Sequence, residues 1–169
     1  AGSRSVITQK LNQNARIIVF GEGSSETIKY LRPLQKGMAR MAYDAYKENP
    51  ELDIKIVPLG ITFNEPDGFR KNVMIKIGEA LNFNDYIPQF KENEGQAKKK
   101  ITDDTFKAVQ PLLLNVKPEI VALYEKSAPI LRTEIGEKWM PIVEESSINF
   151  SSEKKLVEKL YKDVAVKKI

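Results

Sequence analysis

Ile17-Ile18-Val19-Phe20-Gly21-Glu22-Gly23-Ser24-Ser25 is the stretch on which the reading of the fold turns. An apolar run, β-branched and then aromatic, stops at a glycine; that pattern predicts a strand over 17–20 buried on both faces. The turn after it carries two glycines, and a strand ending this way exposes backbone N–H groups that can converge on an anion. The same residues also serve as a plain tight turn, because glycine commonly supplies turn conformations. Known phosphate and nucleophile motifs do not fit: there is no G-x-x-x-x-G-K-[ST], Gly21, Gly23 and Ser24 do not complete G-x-G-x-x-G, and G-x-S-x-G is absent. Glu22 would repel a phosphate unless Arg32, Lys36 or Arg40 compensates, or unless its carboxylate takes a ligand hydroxyl instead.

Downstream, Leu34, Met38, Met41, Ala42 and Ala45 recur at helical spacing, with Pro33 in the first turn and Asn49-Pro50 as the stop. Ile54 to Ile61 reads as a strand interrupted by Pro58, which cannot donate to a ladder and so belongs at a strand end or an irregularity. Asn64 to Gly68 is turn chemistry, and Val73, Ile75 and Ile77 then alternate as the inward residues of a half-buried strand would. From about Asn82 the chain becomes charged and periodic. Helices are expected over 96–114, starting near Thr102-Asp103-Asp104 and bounded by Pro111; from Pro118 to about Leu131, ending near Gly136; and over 152–166, capped by Ser152, with Leu156, Leu160 and Val164 on one face. The pattern predicts an α/β chain: a partial mixed, largely parallel sheet flanked by helices over 1–90, and a mainly helical extension over 91–169.

Composition limits the chemistry. The chain has 169 residues with no His and no Cys, which excludes imidazole bases, thiolate nucleophiles, disulfides and the common zinc sites. A formal charge of +4 is mild, short of the footprint of a dedicated nucleic-acid binder. No apolar run approaches the roughly 18 residues needed to span a bilayer. The opening Ala1-Gly2-Ser3 lacks a charged n-region and an apolar h-region, so no signal peptide is expected, and a processed, trimmed or expression-derived start is.

Taken in order, Val19-Phe20-Gly21-Glu22-Gly23-Ser24, Leu31-Arg32-Pro33-Leu34-Gln35-Lys36-Gly37-Met38-Ala39-Arg40-Met41-Ala42, Ile56-Val57-Pro58-Leu59-Gly60 and Phe69 to Leu81 resemble the glycerophospholipid acyltransferases of the lysophosphatidate and glycerol-3-phosphate type. The resemblance runs through about residues 12 to 110. It implies that Glu22, Gly23 and Ser24 hold the glycerol-phosphate acceptor, with Gly21 where the family usually has proline. It makes Lys36, beside Gly37, a neighbour of the phosphate, and Val57 and Pro58 a wall of the acyl-chain or acceptor pocket. It further implies an acyl-CoA or acyl-carrier-protein donor, a glycerophosphate or lysophospholipid acceptor and a peripheral place on the cytoplasmic side of a membrane; no cofactor is expected, and no nucleic acid, since no aromatic and basic interleaving marks a recognition motif.

The family's H-x-x-x-x-D block supplies the general base that takes the acceptor hydroxyl's proton, and a chain without histidine has no candidate for that role. The expectation is therefore a carboxy-terminal fragment of an acyltransferase, inactive alone, ranked above a natural pseudoenzyme. The alternative from another class is a non-catalytic binding or scaffold module docking on an anionic membrane or a protein partner. Lys98-Lys99-Lys100, Lys154-Lys155 and Lys167-Lys168 read either as solvated helix faces or as such a docking surface. Trp139 with Met140 and Ile142 reads as core, partner contact or interfacial anchor, and Asn149-Phe150-Ser151 as a chance glycosylation match.

Overall fold

The computed structural model describes residues 3–24, 28–63, 73–134 and 148–166. Along the chain it holds α1 (Ser3–Asn12), α2 (Gly37–Glu48), β1 (Lys55–Ile56), β2 (Leu59–Phe63), β3 (Val73–Ile77), β4 (Leu81–Asn82), α3 (Ile87–Glu92), α4 (Glu94–Val109), α5 (Pro118–Glu134) and α6 (Ile148–Val166). These form two compact units: residues 1–26, 32–59 and 77–110, and residues 27–31, 60–76 and 111–169.

In the first unit, α2 buries Ala39, Ala42 and Ala45, whose small side chains let neighbouring elements approach closely. Around them gather Phe83, Phe90, Ala97 and Ile101, with Tyr43 stacked on Phe90 at 4.2 Å and Phe83 tilted against Phe90 at 5.4 Å. Burying each such aromatic or branched side chain stabilises the fold by about 1.5–3 kcal/mol. α2 stops at Asn49, whose N–H still reaches the Ala45 carbonyl before Pro50 removes the next donor. It begins at Gly37 rather than in the turn of Pro33, and the Gln35 N–H just ahead of it donates to the Gly21 carbonyl at 2.7 Å. α4 begins at Glu94 and not at Thr102, capped by Asn93, whose side chain accepts from the Gln96 N–H. Thr102 is buried within the helix and donates its hydroxyl to the Lys98 carbonyl at 2.6 Å.

Two features of the expected sheet are overturned. Pairing is confined to two small antiparallel sheets, β1 with β4 and β2 with β3, and no largely parallel sheet is present among the described residues. Residues 17–20 form no strand: Ile18 is 75% exposed and Phe20 78%. The physical reason is that β-propensity alone does not make a strand, which exists only when a second segment takes its N–H and C=O groups. Pro58 falls where expected, between β1 and β2, and its carbonyl accepts the Gly78 N–H at 2.9 Å.

The second unit is built on α5 and α6. Ile120, Tyr124 and Ala128 of α5 pack with Phe150, Val157 and Leu160 of α6, and Leu156 and Val164 lie against this core as their spacing predicts. Ser152 lies inside α6, which starts at Ile148, so it is not the cap. The phase of β3 is the reverse of the expected one: Val73, Ile75 and Ile77 face outward, while Met74 packs on the core and the Lys76 ammonium lies 4.2 Å over the Phe150 ring. In β2, Gly60 is required by packing, since a Cβ there would come within 2.6 Å of the Leu112 carbonyl oxygen. Trp139, Met140, Ile142, the 64–68 turn, Gly136 and Lys167-Lys168 lie outside the described residues.

Candidate functional site

The glycine turn folds on itself through a bond from the Gly23 N–H to the Phe20 carbonyl at 3.3 Å. Gly23 then takes φ +74, a left-handed conformation that glycine adopts without steric cost. A Cβ at Gly23 would lie 3.0 Å from Cγ of Gln35, so the turn is pressed against the segment leading into α2. Gly21 completes that seam, accepting the Gln35 N–H through its carbonyl and leaving room for the Leu34 side chain, 3.1 Å from where a Cβ would stand.

Arg32 holds the turn together. Its Nε donates to Glu22 Oε2 at 3.0 Å, and its Nη2 donates to the Ser24 carbonyl at 3.0 Å and to Ser24 Oγ at 2.6 Å. The Arg32 backbone N–H adds a longer bond of 3.4 Å to the same Glu22 oxygen. One planar fork thus engages both sides of Gly23, and the half-buried Glu22 carboxylate is neutralised within the chain. Of the cations offered by the sequence to offset Glu22, the structure selects Arg32.

Glu22, Gly23 and Ser24 are therefore brought together, and Lys36 and Gly37 follow directly on the Gln35 that buttresses them. Lys36 is exposed and occupies the N-cap position of α2 without a side-chain capping bond. Gly37 meets nothing within 4 Å of a Cβ, so local packing does not require glycine there. Val57 and Pro58 belong to a different junction, tied to Gly78; Pro58 is buried, while Val57 is 53% exposed. Sequence reasoning missed Gln35, whose N–H bonds the turn at Gly21 and whose side chain fills the space beside Gly23; no local signal marks a residue recruited in this way.

The surface groove beside α3 and α4, lined by Gln89, Gln96, Lys99, Asp103 and Lys107, mixes both signs of charge and is distinct in composition from this turn. Among the described residues no group of three or more carboxylates is placed to hold a metal ion. No described helix is long and apolar enough to cross a membrane.

Known proteins carry the comparison further. Glycerol-3-phosphate O-acyltransferase 1 of Saccharomyces cerevisiae is 28% identical over 107 residues, 62% of this chain and 14% of that protein. This chain is similar to glycerol-3-phosphate acyltransferases. Glycerol-3-phosphate O-acyltransferase 2 of the same yeast is 27% identical over 97 residues, 54% of the chain and 13% of its own length. An uncharacterized acyltransferase of Schizosaccharomyces pombe is 27% identical over 86 residues, 50% of the chain and 13% of its length. The acyltransferase-like chain thus spans only 13–14% of the length of these curated relatives. No family model matches it, and no solved structure does.

Proposed function

We propose that this chain is the part of a glycerol-3-phosphate acyltransferase that holds the acceptor, in a reaction moving a fatty acyl group from acyl-CoA or acyl-carrier protein to a glycerol-phosphate or lysophospholipid hydroxyl. The observation carrying this reading is the Glu22-Gly23-Ser24 turn, clamped by Arg32 and braced by Gln35, in a chain whose relatives bear that activity in their names. A turn of this kind suits a phosphate: Gly23 allows the backbone to be approached closely and Ser24 offers a hydroxyl. The exposed Lys36 supplies positive charge at the entrance to α2. Glu22, held by Arg32, is available on its remaining lone pairs to a glycerol hydroxyl.

The transfer needs a base for the acceptor hydroxyl, and the chain contains no histidine. In this reading the chain alone does not turn over, and its place is peripheral, on the cytoplasmic side of a membrane where acyl acceptors and products reside. The test is calorimetric titration of the purified chain with glycerol-3-phosphate, alongside an assay for thiol release from acyl-CoA. Saturable binding that Gly23→Val abolishes, with no thiol release, is the expected result. Absence of binding overturns the acceptor site; thiol release that Ser24→Ala abolishes overturns the claim of inactivity and points to a serine nucleophile.

A further inference from the structure

We infer that Arg32 is a positioning residue for the acceptor's phosphate: by donating into Ser24 Oγ while holding Glu22, it leaves the Ser24 hydroxyl proton to donate to a phosphate oxygen and keeps the Glu22 carboxylate out of that oxygen's path. The inference rests on the acceptor-site reading above and goes beyond it in assigning the device that makes an acidic turn fit for an anion.

A serine hydroxyl has one proton and two lone pairs. The 2.6 Å bond from Arg32 Nη2 occupies a lone pair, so the proton must point elsewhere, and a charge-assisted bond into the oxygen polarises the O–H into a stronger donor. Without Arg32, the nearby Glu22 carboxylate is the natural acceptor for that proton, and its charge would repel a phosphate at the same place. Both effects need a fork. Nε and Nη2 reach different partners, Glu22 and Ser24, at 3.0 and 2.6 Å, whereas a lysine ammonium is a point charge on a flexible stem. A role through bulk charge alone would be kept by Arg32→Lys; a positioning role would not.

The experiment is titration of the full chain, isotope-labelled, with glycerol-3-phosphate, following the Gly23 and Ser24 amide signals and the phosphorus signal. Wild type, Arg32→Lys, Ser24→Ala, the Arg32→Lys/Ser24→Ala double variant and Glu22→Gln/Arg32→Lys are compared, with amide dispersion elsewhere as the check of folding. Arg32→Lys is expected to weaken binding about 10-fold or more, as losing a charge-assisted bond does. Ser24→Ala on top of it should add little, because Arg32 acts through Ser24. Glu22→Gln in the lysine background should restore part of the loss, because it removes the charge that repels the phosphate while its amide oxygen still accepts from the glycerol hydroxyl. Wild-type binding with Arg32→Lys unchanged, or with the two losses simply additive, overturns the inference alone. No wild-type binding overturns the acceptor-site reading and the inference with it.

Discussion

Tyr86 shows how one side chain inherits its chemistry from neighbours that sequence does not reveal. It is buried in the first unit, its hydroxyl donates to Asp104 Oδ2 at 3.2 Å, and Lys100 bonds the same oxygen at 2.7 Å while lying 5.4 Å over the ring. Burial first, then the Asp104 charge, pushes the phenol from its usual 10.0 up to about 12. Asp104 is held below the usual carboxylate range, chiefly by the bond from Lys100. The signs follow from linkage. The folded chain binds the phenolic proton more tightly than the unfolded one, so that stability is fully present below pH 10.0 and is lost as pH rises to about 12. For Asp104 the contribution is present above its unfolded pKa and disappears as pH falls through the lowered folded value. Tyr86→Phe should therefore flatten the alkaline fall in urea midpoint between pH 10 and 12 while costing about 1 kcal/mol near neutrality. An unchanged alkaline slope would mean that Tyr86 ionises freely in the folded chain. Arg32 teaches the same lesson in the turn: the need of Glu22 for a cation was legible, but the choice among Arg32, Lys36 and Arg40 depended on which of them the fold brought beside it.

Between elements, the join of α5 and α6 depends on a buried ionic contact as well as on apolar packing. Arg132 is 9% exposed and Glu153 3%; they meet bidentately, Nε to Oε1 at 2.7 Å and Nη2 to Oε2 at 3.1 Å. The Tyr124 hydroxyl bonds the same carboxylate, and burial with the Glu153 contact raises its pKa. Removing one partner strands a charge in the core. Arg132→Met should cost about 3–5 kcal/mol by urea denaturation, and Arg132→Met/Glu153→Leu should cost less than the single change. If the double variant is instead worse, the pair's own attraction outweighs its desolvation. Nothing in the sequence distinguishes Glu153 from the exposed Glu158 five residues on, because helix spacing alone does not say which carboxylate faces an arginine on another helix. Helices α2, α5 and α6 were legible as elements, since Leu156, Leu160 and Val164 share one face and the Pro118 start and Asn49 stop are local, whereas α1 and α3 were not read from the sequence. The segment 17–20 was not, because its fate depends on a ladder partner remote in sequence.

Across the whole molecule, the +4 charge is spread among partners rather than concentrated. Lys98 pairs with Glu94 and Lys100 with Asp104, so of the Lys98-Lys99-Lys100 run only Lys99 is both exposed and outside those pairs. Lys154 turns inward to the Pro111 carbonyl. If the proposed membrane site holds, sedimentation with anionic vesicles should exceed that with neutral vesicles and weaken with salt. Lys99→Glu should reduce it, each well-placed lysine contributing about 1 kcal/mol. Equal sedimentation with both vesicle types would refute the charge-based attraction. The sequence by itself determined the ordered blocks that resemble the acyltransferases, the absence of a histidine base, the interruption at Pro58 and the helical second half. These depend on residue identity and on spacing within one element, where the physics is local. Tertiary structure alone decided that 17–20 stays unladdered, that β3 turns Met74 rather than its β-branched residues inward, and that Arg32 clamps Glu22 and Ser24. Burial, ladder pairing and the choice of an ion partner are properties of two segments at once, and the second segment is chosen only when the chain folds.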